Sequence, residues 1–230
     1  MSDLIAIQGE CGAFSNVVAL KIFPNAEIKF CSTFEETFQV VKENPEYKIV
    51  IPVENNLSSR VADVHYLIPK YKLQIHSEFF QQINHNLLGV KGSNFESIKS
   101  VHSHIHALDQ CRKIILQNKW ISNSAADTAG SAKFIAEKKN KNEAAIASEL
   151  AAKIYNLQIL KSNIEDQSGN FTRFFVMGNQ AKHPIFSKDK KFITSIIFRV
   201  KSIPAALYLC LSGFAVNKIN LTRLESFSEG

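Results

Sequence analysis

The sequence predicts an α/β fold in two lobes, on three observations. Strand-like and helix-like runs alternate from Leu4 to Asn56; the rhythm gives way to long extended runs between Leu73 and Val90; it then resumes and closes on the apolar run Thr172 to Met177. Alternating elements of this kind build sheets covered by helices. Two such lobes joined by extended crossovers leave a cleft, with Thr172 at one lip.

Taken in order, Ile5 to Gln8 reads as a strand, and Gly9 and Gly12 punctuate a loop. Phe14, Val17, Val18 and Ile22 have helical spacing. Thr33-Phe34-Glu35-Glu36 is a capping box ahead of Phe38, Val40 and Val41. Lys48 to Val53 is a buried strand ended by Glu54, Asn55 and Asn56, completing a βαβαβ rhythm that implies a parallel sheet. After the extended runs, broken by Asn84 and His85, Ile98 to Val101 is a strand, and Ala107, Cys111, Ile114 and Ile115 mark a helix. A short strand at Trp120 and Ile121 leads to Ser124 as a helix cap; Ala144 to Ala147 is a strand and Glu149 to Tyr155 a helix. Beyond Gly178, a polar linker containing Pro184 precedes a strand at Phe192 to Phe198, a helix from Pro204 to near Gly213, and a strand from Val216 to Leu224. A lone βαβ unit of that size buries little surface by itself.

Composition narrows the function classes. The chain has 230 residues, 45% of them hydrophobic, which is enough for real cores. No apolar run approaches the ~18 residues of a membrane span, and Met1-Ser2-Asp3 lacks the basic start of an export signal. A soluble, cytoplasmic protein is expected, with Cys11, Cys31, Cys111 and Cys210 as reduced thiols and Cys111 in a core. The net charge of +6 is spread along the chain without the aromatic-and-basic pattern of nucleic-acid binding, and it suits an anionic small substrate. His102, His104 and His106 alternate, but no cysteine or carboxylate completes a ligand set beside them, so no metal is expected.

At Thr172-Arg173-Phe174 a hydroxyl, a guanidinium and an aromatic ring stand together where a strand begins. Arginine offers a rigid fork for a carboxylate, and threonine a donor that stays neutral at pH 7. As strand neighbours, Thr172 and Arg173 should point to opposite faces unless the backbone bends.

Seven blocks in order give the chain a resemblance to the prephenate dehydratase family. Gln8 to Ser15 resembles the family's Q-G-x-x-G-x-x-S, and Pro52 to Asn56 with Arg60 to Asp63 resembles P-[IV]-E-N-S-x-x-G-x-V. Asn84 to Leu88 is similar to N-H-x-L-L, and Ser103 to Cys111 to S-H-x-Q-A-L-x-Q-C. Asp127 to Ala132, Ala144 to Ser148 and Thr172-Arg173-Phe174 complete the series. The sequence departs from the pattern at Asn56 (usually serine), Ser59 (glycine), His106 (glutamine) and Phe171 (threonine or valine). The tail resembles an ACT regulatory domain through Ala205-Ala206-Leu207 and Glu225-Ser226, with only the first strand, helix and second strand of that plan. Phe227 and Ser228 replace its usual Arg-Pro, which argues against phenylalanine binding.

The resemblance implies a periplasmic-binding-protein-like catalytic domain at residues 1–180, with one subdomain at about 1–75 and 166–180 and the other at about 76–165. A linker at 181–190 and a partial ACT domain at 191–230 follow. It implies conversion of prephenate to phenylpyruvate without cofactor or metal. Thr172 and Glu54 would be catalytic. Arg173, Asn55, Asn56, Ser15, Ser103, Thr128 and Phe174 would bind substrate, although Phe174 suits packing and Ser103 a helix cap equally well. Ala205, Ala206, Leu207, Glu225 and Ser226 would face L-phenylalanine as effector. Association as a homodimer or homotetramer is also implied. The alternatives are an arogenate dehydratase, a non-catalytic small-molecule binding protein, or a sensor acting through its tail.

Overall fold

The computed structural model describes residues 2–57, 59–181, 185, 187–189 and 191–226. It divides into two units, Met1–Ile185 and Phe186–Gly230. The larger unit contains two sheets. In the first, strands β1 (Leu4–Gln8), β2 (Glu27–Cys31) and β3 (Lys48–Asn55) alternate with helices α1 (Phe14–Ile22) and α2 (Phe34–Glu43). The short β4 (Ser59–Arg60), helix α3 (Ala62–Tyr71) and strand β5 (Gln74–Gln82) follow. The second sheet is built from β6 (Asn86–Gly89), β7 (Ser100–His104), β8 (Ile121–Ala125), β9 (Glu143–Ala147) and β10 (Gln158–Lys161). Its helices are α4 (Ile105–Gln110), α5 (Arg112–Gln117), α6 (Thr128–Lys138) and α7 (Glu149–Ile154). The chain then returns to the first sheet as β11 (Phe171–Gly178).

The first sheet runs β2-β1-β3-β11-β5, with β4 on β3; the second runs β10-β6-β9-β7-β8. The parallel sheet expected from the βαβαβ rhythm forms: β2, β1 and β3 pair in parallel, as do β8, β7 and β9 in the second sheet. Strand β11 is antiparallel to both β3 and β5, and β6 is antiparallel to β9 and β10. Each lobe thus receives a strand from a crossover rather than through a right-handed helix connection, and such a strand need not run parallel. All of β5 belongs to the first sheet, so the crossover lies at residues 83–85 instead of near residue 75.

Thr33 accepts Glu36 N–H at 3.1 Å, as the capping box predicts, while the Glu36 carboxylate reaches Ser32 N–H at 2.7 Å. Ser124 is not a cap: it lies in β8, and Asp127 caps α6 by accepting Gly130 N–H at 2.6 Å. A carboxylate is the stronger acceptor for that first turn.

Strand β11 threads both cores of its lobe. Phe174 and Val176 enter the core shared with Ile5, Ile7 and Val18 on the α1 side. Phe175 and Met177 enter the core shared with Phe38, Val41, Val64 and Leu67 on the α2 and α3 side. The two-residue strand period therefore assigns even positions of β11 to one face and odd positions to the other. Cys111 sits fully buried among Leu108, Ile114 and Ile146 in the second lobe, where burial pushes its thiol up.

In the smaller unit, α8 spans Ala206–Val216. Neither tail strand expected from the sequence forms: residues 192–198 and 217–224 carry no strand pairing. Alternating apolar residues make a strand only beside partners, and among the described residues neither run has one. The helix also begins later than Pro204 and runs past Gly213. Ala205, in the left-handed region at φ 62°, precedes it, Ala206 and Leu207 open it, and Glu225 pairs with Arg223. Phe227 and Ser228 lie outside the described residues.

Candidate active site

The mouth of β11 is wired by side-chain amides. Thr172 is buried, 9% exposed, and its Oγ1 accepts an N–H from Asn55 Nδ2 at 2.9 Å. The two residues are register partners on β11 and β3. The same Asn55 nitrogen lies 2.6 Å from Asn170 Oδ1 and 3.1 Å from the Phe171 carbonyl, while Asn55 Oδ1 accepts Leu57 N–H at 2.9 Å. Asn170 Nδ2 donates across the lobes to Gln110 Oε1 at 2.9 Å, and His85 Nε2 meets the same oxygen at 2.8 Å. His85 is 3% exposed, stacks edge-on against Phe14 at the start of α1, and is pushed below its ordinary value by burial. Among the described residues, no acceptor takes the Thr172 proton.

Arg173 lies on the other face. Its Nε donates to Glu78 at 2.7 Å, its fork reaches Glu54 at 3.6 Å, and its guanidinium covers the Phe175 ring at 4.9 Å. The pairing shifts between Arg173 and Phe174, where Pro52 stands opposite and has no N–H to give the ladder. That irregularity does not turn Arg173 toward Thr172. Glu54 and Arg173 therefore sit together in an ion-pair cluster rather than beside the hydroxyl.

The remaining expected ligands divide. Asn56 staples two loops, accepting Phe171 N–H and donating to the Gly169 carbonyl, both at 2.7 Å. Ser103 is fully buried and gives its proton to the Ile146 carbonyl at 2.6 Å; His104 takes the cap of α4 by accepting His106 N–H. Phe174, 1% exposed, is a core residue, so its placing as a substrate ligand is corrected: the side chain it offers is walled in by Ile5, Val18 and Val50. Ser15, 6% exposed, follows Phe14 in the first turn of α1, and Thr128 opens α6 half-buried. Three members of the hydrogen-bonded line went unnominated from sequence. Gln110 and His85 lay inside recognised blocks and Asn170 two residues before Thr172, so the signal was present but carried no geometry.

A cavity of about 320 Å³ opens beside Gln110, lined also by Leu57, His106, Asp109, Glu165, Asp166 and Gln167. Two of its three acids hold backbone: Glu165 accepts His85 N–H at 2.9 Å and Asp166 accepts Lys113 N–H at 3.1 Å. Across the other junction of the lobes, Gly12 and Cys11 carbonyls accept the hydroxyls of Ser148 at 2.6 Å and Tyr155 at 2.8 Å. Tyr155 is pushed up to about 12, chiefly by burial. Among the described residues no helix is long and apolar enough to cross a membrane, and no cluster of acids, histidines and cysteines could hold a metal.

The fold and site define a bilobed α/β protein with a buried threonine hydroxyl at the mouth of β11. The prephenate dehydratase family profile matches residues 5–182. A Komagataeibacter europaeus protein named bifunctional N-acyl-homoserine lactone acylase/prephenate dehydratase is 36% identical over 97% of this chain and 79% of its own length. An Arabidopsis thaliana chloroplastic arogenate dehydratase/prephenate dehydratase is 40% identical over 96% of this chain and 56% of its own length. The chain thus spans little more than half of that plant relative. Among solved structures, a prephenate dehydratase from Arthrobacter aurescens in complex with L-Phe superposes with a TM-score of 0.85 at 23% identity, covering 97% of this chain and 76% of that one. The quorum-quenching acylase GqqA superposes with a TM-score of 0.84 at 34% identity, covering 98% and 82%. The chain belongs to the prephenate dehydratase family.

Proposed function

We propose that this chain converts prephenate to phenylpyruvate, with residues 1–180 as the catalytic domain. The observation that carries the reading is the Thr172 hydroxyl, buried at the mouth of β11, receiving an N–H from Asn55 while its own proton is left for a ligand. In the reaction the ring carboxylate departs as carbon dioxide. The electron pair of that C–C bond enters the ring, which becomes aromatic as the C–O bond on the opposite carbon breaks. One proton joins the departing oxygen, so the dianion plus a proton gives the phenylpyruvate anion, carbon dioxide and water. A threonine hydroxyl is too weak an acid to deliver that proton outright at pH 7. Its role is to hydrogen-bond the leaving oxygen as negative charge develops there. The Asn55 N–H strengthens that bond, because a hydroxyl that accepts becomes a better donor.

Glu54 and Arg173 support the strand rather than touch substrate. The acid-lined cavity beside Gln110 repels a dianion, so the substrate's charges belong on the Thr172 side. The test is the initial rate with prephenate, followed by phenylpyruvate absorbance. Thr172→Ala should lose roughly 10²–10³-fold in kcat with its circular dichroism unchanged, the cost of removing one donor to developing charge. A folded Thr172→Ala variant with near-normal turnover overturns the role; no turnover by the wild-type chain on prephenate overturns the function.

Relatives named arogenate dehydratase, at 37% identity and above, favour one second reading, the same elimination on arogenate. Comparing initial rates on the two substrates decides between them. L-Phenylalanine control is proposed to be weak in this chain, and calorimetric titration with L-phenylalanine tests it.

A further inference from the structure

Asn170 is 1% exposed and sits where the chain returns from the second lobe into β11. Its carbonyl accepts Ile83 N–H at 2.8 Å, at the outgoing crossover. Its side chain bridges the lobes, donating from Nδ2 to Gln110 Oε1 at 2.9 Å and accepting Asn55 Nδ2 on Oδ1 at 2.6 Å. A primary amide has a donor end and an acceptor end, and their assignment follows from the surrounding network. Turned over, Asn170 would set oxygen against the Gln110 oxygen and NH₂ against the Asn55 NH₂. The Gln110 oxygen is itself held by His85 Nε2 at 2.8 Å. With His85 in the tautomer that donates from Nε2, polarity is passed from the second lobe through Asn170 to Asn55.

The consequence falls on Thr172. With Asn55 presenting N–H, Thr172 Oγ1 is an acceptor and its proton must point elsewhere. With Asn55 turned over, its Oδ1 would face Thr172 Oγ1 and capture that proton. We infer that Asn170 is a positioning residue that fixes the amide of Asn55 so that the Thr172 hydroxyl donates outward, toward substrate. This rests on the proposed role of Thr172. Leu57 N–H on Asn55 Oδ1, at 2.9 Å, favours the same orientation, so removing Asn170 weakens the arrangement without abolishing it.

The experiment is a double-mutant cycle on the full chain, with kcat for prephenate as readout. Asn170→Ala should lower kcat about tenfold, the size of one hydrogen bond's net contribution, while KM changes little. In a Thr172→Ala background the same change should cost less than about twofold, because the proton it directs is gone. If Asn170→Ala loses its circular-dichroism signature, the cycle is run with Asn170→Ser, whose hydroxyl is too short to reach both partners. An unchanged kcat in the Asn170 variant, or an equal loss with and without Thr172, overturns the inference while leaving Thr172 in its role. Full turnover by folded Thr172→Ala overturns that role first and the inference with it.

Discussion

Replacing Gly12 by alanine should measurably destabilise the larger unit, for two separable reasons. Gly12 has φ +92°, and an added Cβ would lie 2.8 Å from Ala151 Cα and 3.0 Å from Ala151 Cβ in α7 of the facing lobe. Positive φ costs an L-residue about 1–2 kcal/mol. Overpacking against backbone adds about 1–3 kcal/mol, since a helix backbone cannot swing aside as a side chain can. Moving α7 away also strains the Ser148 and Tyr155 hydrogen bonds to the same loop. A total near 2–5 kcal/mol corresponds to a fall of about 4–20 °C in Tm for a domain of this size. Gly169 supplies the control: its φ is +80°, yet an added Cβ meets nothing within 4 Å. Gly169→Ala should show the strain alone, about 2–8 °C. Thermal unfolding by circular dichroism compares the two. A Gly12→Ala melting temperature equal to or above that of Gly169→Ala refutes the close approach of α7.

Arg173→Gln should cost about 1.5–3 kcal/mol in urea unfolding, for loss of charged hydrogen bonds on a side chain that is 16% exposed. Its KM for prephenate should stay within about twofold, since uniform substrate binding is what KM reports; a tenfold higher KM at unchanged stability would make Arg173 a substrate ligand after all. His85 is depressed by burial, so the unfolded chain takes up a proton below the ordinary value of 6.5 that the native ring refuses. Its contribution to stability is present above pH 6.5 and is lost as pH falls toward the native value. His85→Gln should therefore flatten the acid side of a urea-melt pH profile; an unaltered slope contradicts this. Cys111, fully buried and pushed up by burial, should resist a thiol reagent at neutral pH until urea unfolds the chain. Native labelling at Cys111 as fast as at half-buried Cys210 would contradict its burial.

The parts legible in the sequence were those with a helical period, a fixed motif or a short apolar run bounded by turn residues: β1, α1, α2, β3 and β9. The unread elements had physical reasons to be obscure. Strand β2 is largely exposed, so Glu27 to Cys31 shows little of the alternation that burial imposes. Helix α3 contains Pro69 in its last turn, where the ring removes the N–H that would bond the His65 carbonyl, so the sequence there reads as a break rather than a helix. Helix ends were blurred because lysines take the left-handed position that glycine usually marks: Lys72 and Lys139 close α3 and α6 at φ 55° and 56°. The tail misled in the opposite sense, because alternation in residues 192–198 predicts a strand without showing what it pairs with. At the site, Thr172 and Asn55 were nominated from sequence, but Asn170, Gln110 and His85 were not. Their importance lies in which end of each amide faces which neighbour, and no spacing encodes that.

Thr172 and Arg173 are adjacent in sequence and separate in task, and the strand period alone divides them. Arg173 clamps three strands at once: it sits on β11, with Glu54 on β3 and Glu78 on β5. Its charge is satisfied on the α2 and α3 side of the sheet, leaving Thr172 on the other side among neutral amides. That segregation matters for the chemistry proposed. A carboxylate beside Thr172 would accept its proton and repel a departing oxygen that is gaining negative charge, whereas amide N–H groups favour both the hydroxyl's donation and that charge. Arg173 therefore acts on turnover only through the place it gives β11. Its loss should lower kcat in proportion to the displacement of Thr172 and leave the substrate's carboxylate contacts intact, the signature that separates a clamp from a ligand.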